Sequence, residues 1–281
     1  MMPDDSPVIA HVRQIDGEIQ ALRNHLRETA SLCGLFASTI GLPLCGKLLG
    51  LLHDLGKYSA AFQLYIRDVT GSNGKEAKLA AEKQKGTIDH ATSGAQHVWD
   101  AYTSKRIPCA LAQMLSVVIM SHHSRSGMRD FIDLSGKSPF LKRLQWGNNQ
   151  THKSESLGKA DTIILTEINE ILQSPALVEE YQSTINRIIK ATTEAIPRHN
   201  AFVLLTRFLF SCLLDADRIS TIDFENPKAS AFRTFRKTPD WNTILDSFEA
   251  HISTFKPDTE VNQIRCQISE ECRAAATRAY A

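Results

Sequence analysis

The sequence predicts an all-α protein. Apolar residues recur at steps of three and four through most of the 281 residues, and no stretch shows the strict alternation of a half-buried strand. Glycine, proline and polar clusters punctuate the periodic segments. The first helix is read over "IDGEIQALRNHLRETASLCGLFA", where Ile15, Ile19, Leu22, Leu26 and Ala30 share a face. Gly41, Pro43 and Gly46 mark a break. A second helix then runs from near Leu44 to Asp54–Gly56, and a third from Ser59 to about Val69. Residues 70–87 are polar, rich in lysine, and read as a surface loop. A helix begins near His90 with Thr92 and Ser93 in its first turn, and a strongly apolar one covers about Cys109 to Ser121. "SGMRDFIDLSGKSP" is read as a loop or short helix, and residues 145–161 as a second polar connection. Helices follow at about 162–173, 176–193 and 198–220, the last apolar enough to be buried nearly all round. "DFENPKASAFRTFRKTPDWN" is irregular, and helices near 241–254 and 258–279 close the chain.

Bulk properties narrow the function classes. The length permits one large domain or two small ones with an ample core. A net charge of +1 does not indicate a whole-surface polyanion binder, yet leaves room for a local basic groove. "MMPDDSP" is no signal peptide, and the longest apolar runs fall far short of the roughly 18 residues that span a bilayer. Cys33, Cys45, Cys109, Cys212, Cys266 and Cys272 form no CxxC pair, which suits reduced thiols in a cytoplasmic protein without a membrane partner.

Seven potential metal ligands sit at the ends of apolar helices: His25, the pair His53–Asp54, His90, the pair His122–His123, and Asp217. Each alone has a plainer reading. His25 would be a hydrogen-bonded core histidine, His53–Asp54 a helix-end cap, His122–His123 exposed loop residues, and Asp217 an acid paired with Arg218. Together they supply imidazole and carboxylate in the proportion that suits first-row transition ions. An ionised carboxylate among apolar residues is costly unless it is paired or ligates metal. A carboxylate beside a histidine can bridge two ions, and two ions about 3.5–4 Å apart clamp an in-line displacement at phosphorus. No cysteine joins the set, which disfavours a closed structural zinc site.

"HDLGK" (53–57) resembles the HD phosphohydrolase signature. The series "NHLRETA", "LLHDLGKYSAAFQ", "DHATSGAQ", "SHHS" and "LLDADR" resembles, more particularly, the HD nuclease domain of the CRISPR-associated protein Cas3, over about residues 20–225. The resemblance implies an HD-domain helical bundle with a dinuclear metal site at its centre. His25, His53, Asp54 and Asp217 would hold one ion, Asp54 would bridge, and His90, His122 and His123 would hold the second. The ions would be divalent transition metals: manganese, iron, cobalt, nickel or zinc. Asp217 is preferred over Asp215 because the family's late aspartate follows a small residue, and helical geometry sets the two about 200° apart. Asp54 and Lys57 would be catalytic, with Lys57 near the scissile phosphate. The plainer reading of Lys57 is a surface lysine paired with a neighbouring acid.

Ser93 and Ser124 are possible hydrogen-bonding supports for the ligands. Arg125, Arg129, Lys137, Lys142 and Arg143, interleaved with Phe131 and Trp146, suit a single-strand groove, or equally a solvated charged face. Lys75, Lys78, Lys83 and Lys85 are further candidates for contact with DNA. The domain reading is 1–255 for the nuclease and 256–281 for a C-terminal helix resembling the connection to a helicase domain. The chain contains no G-x-x-x-x-G-K-[ST], so no Walker-type ATPase.

The expected function is therefore metal-dependent cleavage of single-stranded DNA in CRISPR interference, an antiviral defence. Its partners would be a Cas3 helicase, in cis or in trans, and the RNA-guided surveillance complex. Two alternatives are an HD phosphohydrolase acting on nucleotides or cyclic dinucleotides, and a catalytically idle HD docking module.

Overall fold

The computed structural model describes residues 7–71, 74–83, 88–123, 128, 138–191, 198–230 and 240–278. It is an all-α bundle with one small hairpin. In chain order the elements are β1 (Ile9–Val12), β2 (Ile19–Ala21), α1 (Leu22–Ser38), α2 (Pro43–Leu52), a 3-10 turn (Leu55–Tyr58), α3 (Ala60–Val69), α4 (Lys75–Lys83), α5 (Thr92–Thr103), α6 (Cys109–Ser121), α7 (Pro139–Leu144), α8 (Asn148–Thr151), α9 (Lys153–Lys159), α10 (Thr162–Gln173), α11 (Pro175–Ala191), α12 (Arg198–Glu225), α13 (Pro227–Ser230), α14 (Trp241–Ile252) and α15 (Glu260–Arg278). Two compact units divide at residues 230 and 231. The sequence reading put its domain boundary at 255.

The first unit is built on the crossing of α1 and α2. A Cβ on Gly46 would lie 2.5 Å from the Cys33 carbonyl oxygen, and one on Gly50 2.4 Å from Ala30 Cα. The two helices therefore meet backbone to backbone, an approach that any side chain at Gly50 would block. Leu22, Leu26 and Cys33 of α1 close over Leu48, Leu49 and Leu52 of α2. From α5, α6, α10 and α12, Val98, Leu115, Ile168 and Leu209 complete the same core. The N-terminus of α2 is capped from a distance, because the Glu180 carboxylate on α11 accepts from Leu44 N–H at 3.0 Å and Cys45 N–H at 2.7 Å.

Several expectations are corrected. The first helix begins at Leu22, not Ile15. Ile15 is 87% exposed in a turn that Gly17 makes at φ +77°, and Ile19 belongs to β2. A step of four residues fits both helical and strand periods, and strands of four and three residues are too short to reveal theirs. β1 and β2 pair antiparallel, His11 opposite Gln20. Gln63 of α3 acts as a surrogate strand, accepting from Ile9 N–H at 2.9 Å and donating to Ile9 O at 3.0 Å. The polar segment 70–87 contains α4, whose "KEAKLAAEK" is made of strong helix formers. The polar connection 145–161 folds into α8 and α9, with Thr151 and Ser156 buried. α12 is not buried all round, since Val203, Leu204 and Phe208 are exposed on one face. The segment read as a loop or short helix at 126–139 lies, apart from Met128, Ser138 and Pro139, outside the described residues.

In the second unit, Asp240 caps α14 by accepting from Asn242 and Thr243 N–H, and Arg273 of α15 pairs with Glu249 of α14. Among the described residues, no helix is long and apolar enough to cross a membrane.

The backbone crossing gives a direct test. Gly50→Ala should cost at least about 1–3 kcal/mol through overpacking. Gly158→Ala, at an exposed position of α9 with nothing within 4 Å of the added carbon, should be neutral or slightly stabilising. Urea unfolding midpoints of the two variants check the contrast.

Candidate metal centre

Five separate elements deliver the seven side chains singled out in the sequence. His25 stands in the first turn of α1, His53 at the C-cap of α2 with Asp54 next, His90 two residues before α5, His122 at the C-cap of α6 with His123 next, and Asp217 on α12. The helix ends do specific work. Carbonyls in the last turn of a helix lack intrahelical partners, and two imidazoles fold back onto them. His53 Nδ1–H donates to Gly50 O at 2.8 Å, and His122 Nδ1–H to Ile119 O at 2.6 Å. His90 Nδ1–H donates to Ile88 O at 3.1 Å, and His25 Nδ1–H to Ser220 Oγ at 3.1 Å. These bonds put a proton on each Nδ1 and turn each Nε2 towards one centre, the orientation that metal-ligating histidines need.

At that centre the donor atoms form two groups that share Asp54. Asp54 Oδ2 lies 3.5 Å from His25 Nε2 and 3.3 Å from His53 Nε2. Asp217 Oδ1 completes this group, 3.3 Å from His25 Nε2 and 3.6 Å from His53 Nε2. The other oxygen, Asp54 Oδ1, lies 3.6 Å from His90 Nε2, 3.3 Å from His122 Nε2 and 3.6 Å from His123 Nε2. Within each group the donors are no more than 4.8 Å apart. His90 Nε2 is buried without a hydrogen-bond partner, and Asp54 Oδ2 is buried beside the Lys57 ammonium. Buried donor atoms of imidazole and carboxylate, converging at this spacing, fit divalent metal.

The charges of the centre offset one another. Burial alone would raise the Asp54 carboxyl, but the Lys57 ammonium and the His53 imidazole outweigh it and hold it well below the carboxylate range. Asp217 is lowered too, against its burial, by hydrogen bonds from His25 and His53. Burial pulls His53 down, yet Asp54 and Asp217 push it up to about 10. Burial dominates at His90, lowered to about 3, and also lowers His122.

Lys57 is buried rather than superficial, its Nζ 2.7 Å from Asp54 Oδ2. The glycine of HDLGK has a steric role. A Cβ on Gly56 would lie 2.4 Å from His90 O, and Gly56 N–H donates to that oxygen at 3.0 Å. The glycine thus lets the His90 backbone settle beside Asp54. Asp215 is exposed and outside both groups. Ser93 donates to Thr151 O, away from the ligands. Lys142 is exposed. Arg143 turns inward, its guanidinium donating to Asp89, Thr92 and Met120 O. Arg125, Arg129, Lys137, Phe131, Ser124 and Lys85 lie outside the described residues, while Lys75, Lys78 and Lys83 project from α4 into solvent.

Sequence reasoning missed two neighbours of the centre. His11, inside the apolar "IAHV" of β1, packs edge-on against His25 with ring centroids 4.9 Å apart, its pKa lowered to about 3 by burial, Lys57 and His25. A histidine within an apolar quartet was the available signal. The second is Ser220, whose hydroxyl donates to Glu28 at 2.9 Å while accepting from His25. No sequence pattern marks that serine.

His53 is protonated at neutral pH in the metal-free chain, whereas a metal needs its Nε2 lone pair. Uptake at the first group should therefore expel that proton, and apparent affinity should rise with pH between about 6.5 and 10. Calorimetry at pH 7.5 in buffers of different ionisation enthalpy should read about one proton released for the first ion. A count near zero would contradict the electrostatics described.

Residues 20–186, more than half of the chain, match the family described as Cas3, HD domain. No curated protein matches the chain. Asp217 lies beyond the matched span, and the fold returns it to the centre through α12. The family is one of metal-dependent phosphohydrolases and nucleases of CRISPR systems, and its HD domains bind divalent metal. With this match and this geometry, the chain belongs to the Cas3 HD-domain family.

Proposed function

We propose that the chain is a nuclease that hydrolyses phosphodiester bonds of single-stranded DNA in CRISPR interference, with two divalent transition-metal ions at the centre. The observation that carries this reading is the division of Asp54. One oxygen faces His25, His53 and Asp217, and the other faces His90, His122 and His123. A carboxylate shared in this way suits two ions rather than one. His25, His53, Asp54 and Asp217 would hold the first, and Asp54, His90, His122 and His123 the second. Bound there, the ions supply Lewis acidity towards phosphoryl oxygens and an acidic water.

The chain's own residues do the rest. The Nδ1 bonds keep the imidazoles aimed inward. Burial of Asp54 keeps competing water from its oxygens. Lys57 neutralises Asp54 in the metal-free state and carries a positive charge next to the centre, where a phosphate would be received. Exposed Lys142, with Arg125 and Arg129, would guide the strand. The DNA would be offered by a Cas3 helicase, in cis or in trans, after an RNA-guided surveillance complex has opened the duplex. The setting would be the cytoplasm, and the nuclease domain would extend to about residue 255.

The test is cleavage by the purified chain with manganese, offered single-stranded DNA and separately free nucleotides and cyclic dinucleotides. Only the DNA should be cut. Turnover of the small substrates alone would favour an HD phosphohydrolase, and no turnover with no bound metal a docking module. Asp54→Ala should abolish cleavage and metal loading together, a loss of at least about 10²–10³-fold; cleavage at the wild-type rate would end the reading. Asp217→Ala should be severe and Asp215→Ala nearly silent. Equal losses would remove Asp217 from the site.

A further inference from the structure

The histidines of the second group come from two segments that do not share a helix. His90 comes from the turn before α5, and His122 and His123 from the end of α6. One side chain ties those segments together. Arg143, in the last turn of α7, donates through one guanidinium nitrogen to Met120 O at 3.0 Å, two residues before His122. Through the other it donates to Asp89 Oδ2 at 3.0 Å, the residue before His90, and to Thr92 Oγ1 at 2.8 Å. Asp89 is itself locked, its carboxylate accepting from Thr92 N–H at 2.8 Å and Thr92 Oγ1 at 2.8 Å. The guanidinium carbon also lies over the Trp146 ring, 5.4 Å from its centroid, just past the end of α7. Its exposure is only 17%, matched by 18% for Asp89.

We propose that Arg143 is a positioning residue that sets the spacing between His90 and the His122–His123 pair, and with it the affinity of the second metal ion. The inference rests on the two-metal reading above. A planar fork with fixed donor directions can hold a carboxylate and a carbonyl on two segments at once, whereas a lysine offers one ammonium on a flexible stem. The hydrogen bonds described for this network run to the His90 and His122–His123 segments and not to His25, His53 or Asp217, so the effect should be confined to one ion. Arg143 would then act on cleavage without meeting DNA.

The test is manganese titration of the wild-type chain, Arg143→Ala and Arg143→Lys. Calorimetry would give the two affinities, and electron paramagnetic resonance would distinguish a spin-coupled manganese pair from isolated ions. In Arg143→Ala one of the two affinities should fall about 10–100-fold, as for lost supporting contacts to metal ligands. The other affinity should be unchanged, and the coupled signal should disappear at manganese levels that saturate the wild type. Arg143→Lys should not restore it. Two ions bound by Arg143→Ala with wild-type affinities and a coupled signal would overturn the inference and leave the two-metal reading intact. A wild-type chain that binds only one ion would overturn both. An equal loss at both ions would mean general loosening and would also refute the specific role. Should Arg143→Ala not fold, Asp89→Asn keeps an oxygen for Thr92 N–H while removing the charge that Arg143 meets, and should weaken the same ion alone.

Discussion

An ionised carboxylate sealed from water costs several kcal/mol unless its surroundings return that energy, and Asp54 is 1% exposed at the meeting point of five structural elements. Its two oxygens are approached by five histidine nitrogens and one lysine nitrogen: His53 and Lys57 come from its own stretch of chain, and His25, His90, His122 and His123 from three other elements. The rest of the first unit can be understood as the machinery that brings them there. α1 must lie against α2 closely enough for His25 to reach His53, α5 must start beside the HDLGK turn, and α6 must stop at His122. Lys57 supplies a compensating charge in the metal-free chain, and the raised pKa of His53 supplies another.

The means of delivery is repeated. Where a ligand is at a helix C-terminus, the carbonyl three residues back takes its Nδ1–H, as at Gly50 for His53 and Ile119 for His122. The unsatisfied end of the helix and the orientation of the ligand are thereby solved by one hydrogen bond. Where two segments must approach, a glycine removes the obstacle. Gly50 admits Ala30 and Gly56 admits His90. Tyr58 then anchors the turn after the signature, its hydroxyl donating to Asp161 at the start of α10 at 2.8 Å. Rigid elements hold the donors, consistent with a site that must keep sub-ångström geometry.

Much of this was legible in the chain itself. The apolar run of α6 and the amphipathic pattern of α10 mark their helices without help, because long periodic segments leave little ambiguity. The seven polar residues at helix ends stand out against their leucines, and the structure brings all seven together. What stayed hidden has a physical reason. The hairpin holding His11 is too short to show a period, and its pairing is completed by Gln63, some 54 residues away. α4 and α9 are helical through propensity and local bonds, without an apolar stripe to announce them. Arg143 looked like one of a series of exposed cations, since a charge in a sequence carries no sign of which partner it will meet.

Composition, periodicity and the placing of histidine and aspartate at helix ends determined that the protein is helical and singled out the seven polar side chains that meet at its centre. These are local properties, set by spacing and by the cost of burying a polar group. Only the tertiary structure decided that Asp54 faces two donor groups with separate oxygens, that Ser220 stands behind His25, and that Arg143 turns inward to Asp89 and Met120. Those relations join residues far apart in the chain, and they exist only once the backbone crossings of α1 with α2 and of Gly56 with His90 have closed.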